Sequence, residues 1–132
     1  MKVDVKRKLF AGMIASLIFT FWFIQVQFNI EGFVLVYSLT SAIVLTYGLA
    51  ISLLSDWLSR QITSNHWGQF VISALLHCAG GLILWYFGAI AAVVFFCIDR
   101  LAMRINIRWI HVYVLLGLSA VVWIYDLFKY YI

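Results

Sequence analysis

The stretch Gly68–Ile98, GQFVISALLHCAGGLILWYFGAIAAVVFFCI, runs 31 residues without a charged side chain. A helix of that length in water needs a polar face, and this stretch has none. One bilayer crossing takes about 20 apolar residues, so the segment belongs in a membrane and is longer than one crossing requires. Three more apolar stretches accompany it: Leu9–Phe28, Phe33–Leu54 and Trp109–Phe128, of 20, 22 and 20 residues, none containing Lys, Arg or Glu. The connections Asn29–Gly32, Ser55–Trp67 and Asp99–Arg108 are short, which makes neighbouring helices antiparallel. The pattern predicts an all-α integral membrane bundle of four transmembrane helices with short connections. It forms a single membrane domain over 1–132, with spans at about 9–28, 33–54, 70–97 and 109–128.

Composition agrees. Apolar residues make up 66% of the chain and charged residues 11%, against about 25% charged in soluble proteins. Proline is absent, so no span is kinked by that route. The net charge of +4 sits in short flanks beside apolar spans, where it sets orientation and attracts anionic lipid. No basic face on a soluble domain exists to bind nucleic acid. The N-terminal Lys2, Lys6, Arg7 and Lys8 followed by an apolar run resemble a secretory signal. No small-x-small cleavage site follows, so Leu9–Phe28 is read as a retained anchor. Cys78 and Cys97 share one apolar stretch. In one straight helix they would stand roughly 28 Å apart, beyond the ~7 Å a disulfide allows, and they are expected as free thiols.

Orientation follows Lys and Arg in short loops. With four crossings and a cytoplasmic N-terminus, Lys2, Lys6, Arg7, Lys8, Arg60 and Lys129 lie inside, and Arg100, Arg104 and Arg108 lie outside. The arginine loop then breaks the rule, and this is the arrangement expected first. A second arrangement uses the excess length of Gly68–Ile98. As one helix it would extend roughly 46 Å, and a break at Gly80-Gly81 would make it a re-entrant hairpin. The arginine loop returns inside, and the count becomes eight against one. A third arrangement is dual topology. Arg100, Arg104 and Arg108 recur every four residues, so on a helix they form one stripe able to rest on lipid phosphates. Trp57, Trp67, Trp109, Tyr125, Tyr130 and Tyr131 fall near span ends, as an interfacial belt does, while Trp22 and Trp85 fall further in.

Helices in lipid associate through close packing of small residues and hydrogen bonds. In the second span Ser38, Ser41, Leu45, Gly48, Ser52, Ser55 and Ser59 alternate steps of three and four, a left-handed seam. The third segment repeats the rule with Ser73, His77, Gly81, Leu84, Gly88 and Ala91; the first offers Gly12, Ser16 and Thr20, the last Tyr113, Gly117 and Ala120. The seam is read as helix packing, with a narrow polar path as the sharper alternative. His77 is the best single candidate for chemistry, because ionisable groups within a bilayer are costly and often functional. A neutral imidazole bonded to a neighbouring serine or carbonyl is the plainer reading. Asp56 and Asp99 close spans, and Asp126 with Lys129 one turn later reads as an ion pair at the interface. Gln25 and Gln27 end the first span facing headgroups. His77, Cys78, Cys97 and His111 match no zinc spacing, so no metal or cofactor is expected. No G-x-S-x-G, H-E-x-x-H or phosphate-binding glycine loop occurs, and no enzymatic activity is expected.

Thr46-Tyr-Gly-Leu-Ala-Ile-Ser-Leu-Leu-Ser-Asp56 resembles the end of the second helix in a family of small four-span membrane proteins of Bacillus-type Gram-positive bacteria. The resemblance rests on Tyr47-Gly48, Ser52 and Ser55-Asp56 together with chain length and span layout. It implies a cytoplasmic-membrane location and no particular activity. The chain is similar in size to small multidrug-resistance transporters, which carry an essential glutamate in the first span; Leu9–Phe28 has no acidic residue. The expectation is a non-enzymatic multi-pass module that binds lipid or a membrane-protein partner, of immunity or regulatory type. The alternative is a small homo-oligomeric channel or transporter using the serine seam and His77.

Overall fold

Asp4 starts the first helix, its carboxylate accepting a hydrogen bond from Arg7 N. The computed structural model describes residues 4–25 and 29–132; Lys2, Gln27 and the predicted end of the first span at 26–28 lie outside them. Helix α1 spans Val5–Ile24. Helix α2 spans Ile30–Ile62, capped by Asn29, whose side chain accepts from Glu31 N and Gly32 N. Helix α3 spans His66–Leu82, capped by Asn65; α4 spans Trp85–Ala102; and α5 spans Trp109–Tyr131. An all-α bundle is therefore observed, and α1, α2, α4 and α5 are each long and apolar enough to cross a membrane.

The 31-residue segment is two helices. The chain turns at Ile83-Leu84, two residues past the glycine pair at which a break was expected, and Trp85 takes up the left-handed φ of 63°. A side chain there costs roughly 1–2 kcal/mol. The glycines serve packing instead. A Cβ on Gly81 would stand 2.5 Å from Ala92 Cβ, and one on Gly88 would overlap the Gly81 carbonyl. Small residues on both arms thus let the α3 and α4 backbones touch, as lipid-embedded helices prefer. Trp85, placed deep by the sequence reading, sits at the hairpin tip and is 81% exposed. The hairpin also shortens the axial separation of Cys78 and Cys97, and both are free thiols.

Helix α2 is long, about 50 Å at 1.5 Å per residue, and carries a wider π-turn at Val44–Gly48. Its serine seam lies inward on both sides of the turn: Ser38, Ser41, Ser52, Ser55 and Ser59 are all buried. Burial is inverted relative to a soluble protein. Ser16, Thr20, His77 and Asp99 are inside, whereas Phe21, Leu75, Ile110 and Leu118 face out. Only a hydrocarbon solvent makes that distribution favourable.

The hairpin sets the polarity of the bundle. Arg7 and Lys8 at the start of α1 meet Asp99 at the end of α4 and Asp56 late in α2. Glu31, at the start of α2, meets Lys129 near the end of α5. Among the described residues, Lys6, Arg7, Lys8, Arg60, Arg100, Arg104 and Arg108 therefore belong to one end, and Lys129 to the other. The arrangement expected first, with the arginine loop opposite the N-terminal flank, is not the one found. The hairpin arrangement is, and it brings the arginines into agreement with the positive-charge rule.

Candidate functional site

Lys8 is the centre of a charge network at the basic end. Its side chain is 0% exposed. Its Nζ donates to Ser52 Oγ at 2.6 Å and Asp99 Oδ2 at 3.2 Å, and lies 2.6 Å from Asp56 Oδ2. An ammonium has three protons, and three oxygens take them. Arg7 Nε donates to Asp99 Oδ1 at 2.7 Å. Arg100 Nη2 donates to Asp56 Oδ1 at 2.8 Å and to Ser73 Oγ at 3.0 Å, and Ser73 Oγ donates to Asp56 Oδ1 at 2.5 Å. The Arg100 guanidinium lies over Phe96, 4.6 Å from the ring centre, where the ring quadrupole favours a cation. Four helices meet here, and the five ionised groups sum to +1 (three cations, two carboxylates). Isolated charges in low dielectric are prohibitively costly; here each carboxylate has two cations beside it.

Beyond the network lies a cavity of about 270 Å³. Helix α1 contributes Phe19, and α2 contributes Thr40, Val44, Tyr47 and Ile51 around the π-turn. The hairpin contributes His77, Gly81, Phe87, Gly88 and Phe95. π-turns recur at functional sites because the widened backbone leaves room beside it. Tyr47 Oη is held away, donating to the Gly80 carbonyl at 2.8 Å. Ile43, Leu84 and Phe87 border the cavity and are exposed, so its mouth faces the side of the bundle. His77 is 2% exposed, packs against Phe95 in a tilted arrangement with ring centres 5.2 Å apart, and its Nδ1 is buried without a hydrogen-bond partner among the described residues. The serine or carbonyl partner expected for it is not found among the described residues.

The other predicted residues divide. Ser41 and Ser55 return their hydroxyls to the carbonyls of Tyr37 and Ile51, as serines in apolar helices do. Ser41 also accepts from Trp123 Nε1 at 2.9 Å. Ser38 Oγ is buried without a partner among the described residues. Gly48, Gly81 and Gly88 all border the cavity. Arg100, expected on lipid phosphate, is turned inward onto Asp56. α4 ends at Ala102, so Arg100, Arg104 and Arg108 share no single helical stripe; the last two are exposed. Lys129, expected to pair with Asp126, instead meets Glu31 at 2.5 Å, and Asp126 Oδ1 is buried without a partner among the described residues. The last span packs through Val112 and Ser119, not Tyr113 and Gly117, which face out. Ser119 Oγ and Tyr37 Oη are 2.6 Å apart.

Arg7, Lys8, Asp56 and Asp99 were read as flanks and span ends, and their joint burial was missed. The signal was present in the sequence. Under the hairpin arrangement two aspartates and three cations reach one membrane depth, and charges at that depth must pair. Comparison of the chain with protein families, with curated proteins and with solved structures found no match.

Proposed function

We propose that this multi-pass membrane protein is a non-enzymatic module that binds lipid from the surrounding bilayer, within a cytoplasmic membrane and with its basic end in the cytoplasm. The supporting observation is the 270 Å³ apolar cavity beside the π-turn, whose mouth is bordered by the lipid-facing Ile43, Leu84 and Phe87. An apolar pocket with few polar groups is the usual form of a binding site, and one that opens sideways is filled from the membrane. The likeness of Thr46–Asp56 to small four-span membrane proteins belongs to the same proposal, as does regulation of, or immunity against, a larger membrane partner. A polar path along the serine seam receives less support. Ser41, Ser55 and Ser59 bond to their own helix, and the charge network closes one end of the seam.

Purification in mild detergent followed by organic extraction and mass spectrometry tests the reading. A defined lipid should be recovered at about one per chain, and it should be lost when Ala91, which also lines the cavity, is replaced in Ala91→Phe. Recovery of lipid in bulk-membrane proportions from both proteins would overturn it.

A further inference from the structure

We propose that the cavity beside the π-turn holds the ring of a neutral, membrane-dissolved quinone, with His77 as its hydrogen-bonding partner. This rests on the lipid-binding reading and names the ligand class. Four observations carry it.

The first is depth. His77 is twelfth in α3, so about 16 Å of helix separates it from the basic end, near the middle of a ~30 Å hydrocarbon layer. A charged headgroup would have to leave water to reach it. The nearest cation, Lys8, has its three protons committed to Ser52, Asp56 and Asp99, so nothing at that depth replaces the lost hydration. The occupant is uncharged.

The second is the imidazole of His77, which lines the cavity and makes no hydrogen bond among the described residues. A buried polar atom without a partner costs free energy that a ligand recovers by supplying one. A plain hydrocarbon chain supplies none. A ring carbonyl accepts from an imidazole N–H, and the hydroxyl of the reduced ring donates to an unprotonated imidazole nitrogen. Either redox form is therefore bound, and binding itself transfers no electrons.

The third is size. A protein cavity of about 150 Å³ accommodates benzene, and about 270 Å³ has room for two fused rings. The fourth is shape. Phe19, Phe87 and Phe95 line the cavity with aromatic rings, and Gly81 and Gly88 border it without side chains. Flat rings stack on aromatic faces in offset or edge-on arrangements; flexible acyl chains gain nothing specific from such walls.

The experiment uses the whole chain in nanodiscs, with 2-methyl-1,4-naphthoquinone as the probe, and with phosphatidylglycerol and dodecane as comparison ligands. Saturable binding of one naphthoquinone per chain is expected, weakened about fivefold in His77→Phe for one lost hydrogen bond, retained more closely in His77→Gln, and abolished in Ala91→Phe. Thermal unfolding without ligand establishes that each variant is folded, and Ala91→Leu replaces Ala91→Phe should the larger side chain prevent folding. Non-saturable uptake, or binding indifferent to both His77→Phe and the Ala91 variant, overturns the proposal. If phosphatidylglycerol or dodecane is retained specifically and naphthoquinone is not, the quinone fails while the lipid-binding reading stands. If none of the three is held, both fail.

Discussion

Lys8 illustrates what a membrane asks of a single residue. In water a lysine at the end of a basic N-terminal flank would be solvated. Here it is fully enclosed and satisfies two carboxylates from different helices. Replacing a buried pair with apolar residues is often neutral, whereas removing one partner strands the others. Lys8→Met should therefore lower stability by about 3–5 kcal/mol, read from denaturant unfolding in micelles. The double change Lys8→Met with Asp56→Asn should cost less than the sum of the two single changes, because the sites share one network. Additive costs would mean that Lys8 and Asp56 do not interact. Lys8→Arg should not rescue, since a planar fork cannot present three protons to Ser52, Asp56 and Asp99 as an ammonium does.

At the scale of elements, the hairpin and the π-turn shape the cavity between them. The hairpin needs the Gly81–Gly88 contact, because helices in lipid lack a hydrophobic force to hold them at larger spacing. Gly88→Ala would drive a methyl into the Gly81 carbonyl. It should destabilise by about 1–3 kcal/mol, as overpacking does. Gly117 has nothing within 4 Å of its Cβ position. Gly117→Ala should stabilise slightly, by about 0.5–1 kcal/mol from helix propensity alone. The opposite signs of two chemically identical changes, measured as shifts in thermal midpoint, test the packing directly; equal shifts would show that the arms are not in contact. The π-turn lies between Ser41 and Ser52, and serines on both sides of it are buried.

For the whole molecule, the hairpin places the two ends of the described chain on opposite sides. Ion pairs at Arg7–Asp99 and Glu31–Lys129 mark the two ends. In a background with Cys78→Ala and Cys97→Ala, Ser64→Cys and Ile105→Cys should label from the same face of inverted vesicles, and Ile132→Cys from the other. Labelling of Ile105→Cys together with Ile132→Cys would exclude the hairpin. One end then carries at least seven basic side chains among the described residues, so membrane insertion should be strongly oriented. A mixed population in the labelling experiment would contradict that.

Much of the architecture was legible from composition, because the requirement that lipid imposes is additive along the chain. Apolar runs of 20 or more residues have to be helices in lipid, and the small-residue stripe of α2 had to face its neighbours. Capping by Asn29 and Asn65 is equally local. Three features required the fold. The turn at Ile83-Leu84 was not legible: the glycine pair is the weaker helix former, but Gly81 and Gly88 gain more from close contact across the hairpin than from ending a helix. The charge network joins residues up to 92 apart, and no periodicity links Arg7 to Asp99 until the hairpin returns α4 to the N-terminal end. The cavity exists only where the widened π-turn, the glycine face and Phe19 converge. Solvent choice is a property each segment carries alone, and the sequence states it; which charges meet, and what space is left between helices, depends on long-range return of the chain, which tertiary packing decides.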